Sequence, residues 1–183
     1  LTRKASAEFA KLGFTIMTGG GPGIMEAANR GAKDVGGRSV GCNIQLPKEQ
    51  GVNPYCDKWV EIKHFFVLFV MLIKYSFAFV VMPGGFGTLD EYFEAITLIQ
   101  TKKIRNFPVI IFCKEFHQKL IEHNQMMKEM GTISDSDMEL FLVTDSIEEA
   151  VELIKENSIK RYGLKPEENI RPFGWLFESR FRF

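Results

Sequence analysis

Two glycine-rich stretches, Thr18-Gly19-Gly20-Gly21-Pro22-Gly23 and Pro83-Gly84-Gly85-Phe86-Gly87-Thr88, carry the first chemical signal in this sequence. Missing side chains let main-chain N–H groups approach an anion, and a helix opening behind each stretch adds the positive end of its dipole. A phosphate suits Gly20, Gly21 and Gly23 in such a setting. A tight strand-to-helix turn also favours glycine, so one loop alone supports either reading. A second loop of the same kind shifts the weight toward phosphate. Thr88 is placed to cap the helix behind the second loop through its hydroxyl. Glu91 follows three residues later. It either completes a capping box with the Thr88 backbone or stands as a carboxylate beside a phosphate-ribose site, able to stabilise a sugar cation or activate water.

Positioning these loops requires strands that end at them and helices that leave them. Ala5, Phe9, Ala10 and Leu12 lie near helical spacing, with Gly13 as a stop before a short apolar run over 14–17. An Ala-rich helix is expected over 24–35, a strand over 39–44, and an exposed loop over 45–58. Further strands are expected at 59–62, 77–82, 108–112 and 140–143, with helices at 64–75, 89–100, 116–130 and 147–156. Asp145 or Ser146 would cap the last helix. The alternation predicts a three-layer, Rossmann-like α/β fold: an open parallel sheet with helices on both faces and ligands beyond the carboxyl ends of the strands. One domain over 1–160 is expected, followed by a tail over 161–183 with scattered aromatics and no period.

Composition narrows the partners. Lys+Arg and Asp+Glu balance at 23 each, so no global positive field is available to hold nucleic acid. The apolar run 65–73 is broken by Lys74-Tyr75-Ser76, short of the roughly 20 residues a membrane span needs. Leu1-Thr2-Arg3-Lys4 has no apolar stretch behind it, so it does not read as a secretory leader. Three cysteines without CxxC spacing argue against a disulfide framework or zinc site and suit a reducing cytoplasm. No metal site is expected, and His64, His117 and His123 read as ordinary surface histidines. Met126-Met127 reads as core filler.

The stretch Thr18-Gly19-Gly20-Gly21-Pro22-Gly23-Ile24-Met25-Glu26-Ala27-Ala28-Asn29, followed by Pro83-Gly84-Gly85-Phe86-Gly87-Thr88-Leu89-Asp90-Glu91, closely resembles the Lonely Guy family, also labelled possible lysine decarboxylase. Leu46-Pro47-Lys48-Glu49-Gln50 and Asn53-Pro54-Tyr55 extend the resemblance, which runs from about residue 14 to 155. It implies hydrolysis of the N-glycosidic bond of a nucleoside 5′-monophosphate, AMP or an N6-modified AMP of the cytokinin type, to free base and ribose 5-phosphate without metal or organic cofactor. It further implies that Gly84, Gly85, Gly87 and Thr88 hold the phosphate and that Glu91 is the catalytic carboxylate. Met25 and Asn29 would line the nucleotide site, and Glu49 and Thr97 would contact ligand. The decarboxylase label has no local support, since no pattern marks a Schiff-base lysine with cofactor-binding partners.

Two departures from the family pattern stand out. Members begin with a strand and a serine-containing loop ahead of the first helix, and the sequence opens at that helix. The family's Arg-Lys pair before the second glycine motif aligns with Leu68-Phe69. These belong to nine consecutive apolar residues on a helix that lacks a polar face, which motivates the expectation of a homodimer. The departure also sets a second function class beside the enzyme: a nucleotide-binding homologue impaired in turnover.

Overall fold

A computed structural model describes residues 1–46 and 51–164. The chain runs α1 (Thr2–Lys11), β1 (Ile16–Thr18), α2 (Ile24–Asp34), β2 (Ser39–Ile44), β3 (Lys58–Ile62), α3 (Phe65–Lys74) and β4 (Phe79–Val81). It continues through α4 (Phe86–Gln100), β5 (Val109–Phe112), α5 (Lys114–Glu129), β6 (Phe141–Thr144) and α6 (Ile147–Ile154). A 3₁₀ turn precedes β6, and a π-helical turn, Lys155–Lys160, extends α6. Ser146 caps α6 by accepting from the Glu149 N–H.

All pairings among the described residues are parallel, with a helix crossing over between β1 and β2, β4 and β5, and β5 and β6, and the protein is α/β and Rossmann-like. The sheet is divided in two. One half has the order β1-β2-β3 and the other β4-β5-β6. β1 and β4 form the inner edges. At their amino ends the Phe14 and Phe77 rings meet at 6.1 Å, while at their carboxyl ends both glycine loops face one opening. The two halves therefore run in the same direction across the gap.

Packing explains how the halves stay together. Ala5 and Phe9 of α1 share a core with Ile110 and Phe112 of β5 and with Ala150 and Ile154 of α6. The other side of α1 lies against α2 so closely that a Cβ at Gly31 would come 2.2 Å from the Arg3 carbonyl oxygen, a contact only glycine permits. Thus α1 bridges one half-sheet to the other. A second core joins Val81, Tyr92, Ala95, Val109 and Ile111, and a third joins Cys42, Ile62, Leu68, Phe69 and Leu72.

Several expectations are revised. His117 is buried rather than on the surface, and its Nδ1 lies 2.8 Å from the Phe112 carbonyl oxygen. Met126 is exposed, not core filler. Helix α3 has two faces despite its uniform composition: Leu68, Phe69 and Leu72 are buried, while Phe65, Phe66 and Val70 are exposed. No helix among the described residues is long and apolar enough to cross a membrane.

Candidate functional site

Between β1 and β4 lies a cleft of about 1170 Å³. Gly19 and Gly21 border it from the first loop, and Gly84, Gly85, Gly87 and Thr88 from the second. Met25 at the start of α2 and Glu91 on α4 complete this end. Parallel strands deliver both loops to the same side, and each loop then opens a helix whose first N–H groups lack intrahelical acceptors.

The first loop is held by a buried polar knot. The Thr18 hydroxyl donates to Asn29 Oδ1 at 2.7 Å and accepts from the Gly20 N–H at 2.9 Å. Asn29 Nδ2 donates to the Ser39 hydroxyl at 2.7 Å. Asn53 Nδ2 lies 2.9 Å from Asn29 Oδ1 and also reaches the carbonyl oxygens of Gly20 and Gly21. Asn29 is therefore a structural hub rather than a lining residue, since it is fully buried and its amide is spent inside the knot. Gly20 is likewise not an anion donor: its N–H is committed to Thr18, and its φ of 73° turns the chain. Gly23, at φ 72°, serves as N-cap of α2 outside the cleft lining. Gly21 and Met25 keep their expected place at the cleft.

The second loop starts its helix earlier than expected. Gly85 is the N-cap and α4 begins at Phe86, so Thr88 sits inside the first turn and makes no cap bond. Its side chain instead folds over Gly84, where a Cβ would stand 2.2 Å from Thr88 Oγ1. With the helix already under way, a capping box between Thr88 and Glu91 is not formed. Thr97 is spent on α4 itself, its hydroxyl donating to the Phe93 carbonyl at 2.7 Å, and it does not border the cleft. Glu49 lies outside the described residues.

Glu91 is the unusual group. Its carboxyl has no hydrogen-bond or ion-pair partner among the described residues, and it stands between the cleft and the side chains of Phe69, Leu72, Ile73 and Phe79. Burial, reinforced by the charges of Asp90 and Glu94, pushes its pKa up to about 7. Burial also raises the Cys42 thiol, with the Glu91 charge adding to the effect. Leu68 borders the same cleft and is 4% exposed. Among the described residues the charged side chains lining the cleft are Arg38, Glu61 and Glu91. Arg38 precedes β2 and so lies at the end of the strands opposite the glycine loops. Glu91, poised between neutral acid and carboxylate near pH 7, thus borders the same cleft as two amide-rich loops.

Asn53 and Ser39 were not apparent as site residues from sequence. The available signal was the Asn-Pro dipeptide at 53–54, which marks a turn. Asn53 Oδ1 indeed accepts from the Tyr55 N–H at 3.1 Å, but the partners 24 to 33 residues away are set by tertiary structure.

Sequence and structure comparisons agree with this architecture. The family model described as possible lysine decarboxylase matches residues 25–154. An uncharacterized protein of Archaeoglobus fulgidus is 31% identical over 105 residues, 56% of this chain and 66% of that protein. The cytokinin riboside 5′-monophosphate phosphoribohydrolase LOG3 of Arabidopsis thaliana is 31% identical over 86 residues, 46% of this chain. The chain spans only 40% of that plant relative's length. The molybdenum cofactor binding protein of Rippkaea orientalis superposes with a TM-score of 0.63 at 23% identity, covering 85% of this chain and 84% of that one. The molybdenum cofactor carrier protein of Chlamydomonas reinhardtii gives 0.55 at 21% identity, with 85% and 84% covered. Both likenesses define the fold. The chain belongs to the Lonely Guy-type, possible lysine decarboxylase family.

Proposed function

We propose that this chain holds a nucleoside 5′-monophosphate across its two glycine loops and hydrolyses the N-glycosidic bond, releasing the free base and ribose 5-phosphate. The observation that carries the reading is Glu91: a half-buried, unpartnered carboxyl in the same cleft as both loops. Amides of the second loop and the first turn of α4 receive the phosphate, which fixes the ribose within the cleft. As the bond to the base lengthens, positive charge grows on the sugar, and ionised Glu91 stabilises it and orients water for attack. The plant relatives' names give cytokinin riboside 5′-monophosphates as their substrates, and AMP is the unmodified nucleoside monophosphate to test beside them.

Chromatography of protein incubated with AMP at pH 8 should show adenine and ribose 5-phosphate in equal amounts, and neither product from adenosine. Saturable AMP binding with no base release would instead favour a binding-only protein. That second reading rests on Leu68 and Phe69, apolar residues packed where the family resemblance implies a cationic pair.

A homodimer is part of the same proposal. Phe66 and Val70 on α3 are 68% and 54% exposed, and Trp59 on β3 is 55% exposed. Apolar groups so concentrated favour burial against a like surface. Light scattering at micromolar concentration should give twice the chain mass, and Phe66→Asp combined with Val70→Asp should return it to that of one chain.

A further inference from the structure

We propose that Asn53, in the loop between β2 and β3, is a positioning residue: by holding two carbonyls of the first glycine loop inward, it aims the Gly21 N–H into the cleft as a donor to an anionic oxygen of the ligand. The Gly20 carbonyl accepts twice from Asn53, from its main-chain N–H at 2.8 Å and from Nδ2 at 2.9 Å. The Gly21 carbonyl accepts from the same Nδ2 at 3.1 Å. A trans peptide is planar, with its C=O and N–H on opposite sides, so pinning the Gly20 oxygen on Asn53 turns the Gly21 N–H away from Asn53. Gly21 is a buried stretch of the loop over which the flexible Met25 side chain lies, and from which it must shift to admit a ligand oxygen. Gly21 borders the cleft, and its N–H has no protein acceptor among the described residues. The next peptide offers no competing donor, because Pro22 has no N–H.

The knot leaves Asn53 little freedom to do otherwise. It is 7% exposed, and its Oδ1 accepts from the Tyr55 N–H, which fixes the amide with Nδ2 toward the loop. Asn29 Oδ1, itself receiving the Thr18 hydroxyl, takes a further contact from Nδ2. Within the loop, Gly20 thus spends its N–H on Thr18 and its carbonyl on Asn53, and Gly21 keeps one free donor.

The inference rests on nucleotide binding in this cleft, and the test separates the two. Titrating ¹⁵N-labelled protein with AMP should move the Gly21 amide proton downfield. Asn53→Asp places a carboxylate oxygen against two carbonyls, and Asn53→Ser removes the reach without adding charge. Each should weaken AMP binding by about ten- to hundredfold, the loss expected for one charge-assisted hydrogen bond, and abolish the Gly21 shift. A folded variant that keeps both the affinity and the Gly21 shift overturns the assignment. If both variants unfold, the parent decides, since AMP saturation without a Gly21 shift overturns it equally. No AMP binding by the parent would refute the nucleotide reading, and inorganic phosphate then becomes the probe. A phosphate-dependent Gly21 shift would support the positioning role, and none would refute it.

Discussion

Glu91→Gln is expected to reduce base release from AMP by at least about 1000-fold while leaving AMP affinity within several-fold, because the amide keeps the shape and loses the charge a sugar cation requires. Parent kcat should rise with pH through an apparent pKa near 7, the value to which burial and the neighbouring carboxylates push Glu91. The variant's residual rate should lack that limb. Stability should move the opposite way. The folded-state pKa exceeds the ordinary value of 4.5, so the group stabilises the fold fully below 4.5 in its neutral form. That contribution is lost as pH rises through 7, to a total of up to about 3 kcal/mol. The amide of the variant never ionises. Urea unfolding should therefore show the variant more stable than the parent by about 1–3 kcal/mol at pH 8 and nearly equal at pH 4. Unchanged turnover would remove Glu91 from the mechanism, and a variant less stable at pH 8 would refute the assigned environment.

Leu68→Arg is expected to raise base release at least about tenfold, since one preorganised donor beside a reacting centre commonly contributes about 100-fold or more. Leu68 borders the cleft that Glu91 enters, so a guanidinium there supplies the positive charge that end of the cleft lacks among its described lining residues. It should also draw the Glu91 pKa down, shifting the acid limb of the rate profile to lower pH. Leu68 belongs to the same buried core, so its guanidinium escapes burial only by reaching the cleft, and adding Phe69→Lys should cost more because Phe69 does not border the cleft. Phe69 is 8% exposed and packs with Ile62 and Leu72, so a lysine there buries an ammonium group unless its chain reaches solvent. The double variant should unfold at lower urea than Leu68→Arg alone. Equal base release from parent and Leu68→Arg, with the arginine variant folded, would show that turnover is not limited by a missing cation at this position.

Much of the architecture is legible in the residues. Apolar runs ending in glycine, followed by Ala-rich or amphipathic stretches, identify strand, loop and helix in order, and 39–44 coincides with β2. Boundaries at the second loop are less visible. Thr88 is a good cap by type, but Gly85 takes that place and lets Phe86-Gly87-Thr88 form the first turn, which removes the ordinary explanation for Glu91. Asn29 lies within the motif that carries the resemblance, yet its amide turns inward to Ser39 and Asn53, contacts invisible to any local pattern. The uniform composition of α3 likewise conceals which side packs on β2. Register against the third core decides that, burying Leu68 and Leu72 and leaving Phe66 outside.

On the proposed function, the divided sheet gives a bound nucleotide a mechanical role as well. The first glycine loop leaves β1 and the second leaves β4, strands of separate half-sheets that share no ladder hydrogen bonds. Among the described residues, side-chain packing, chiefly through α1, opposes their parting, so the seam is the natural place for the molecule to breathe. A ligand whose ends rest on both loops acts as a staple across that seam. Its binding energy then resists opening of the cleft as well as dissociation, and saturation should slow amide exchange along the facing edges of β1 and β4 together. On that proposal, catalytic alignment and the cohesion of the two halves become one equilibrium, read out by the same ligand.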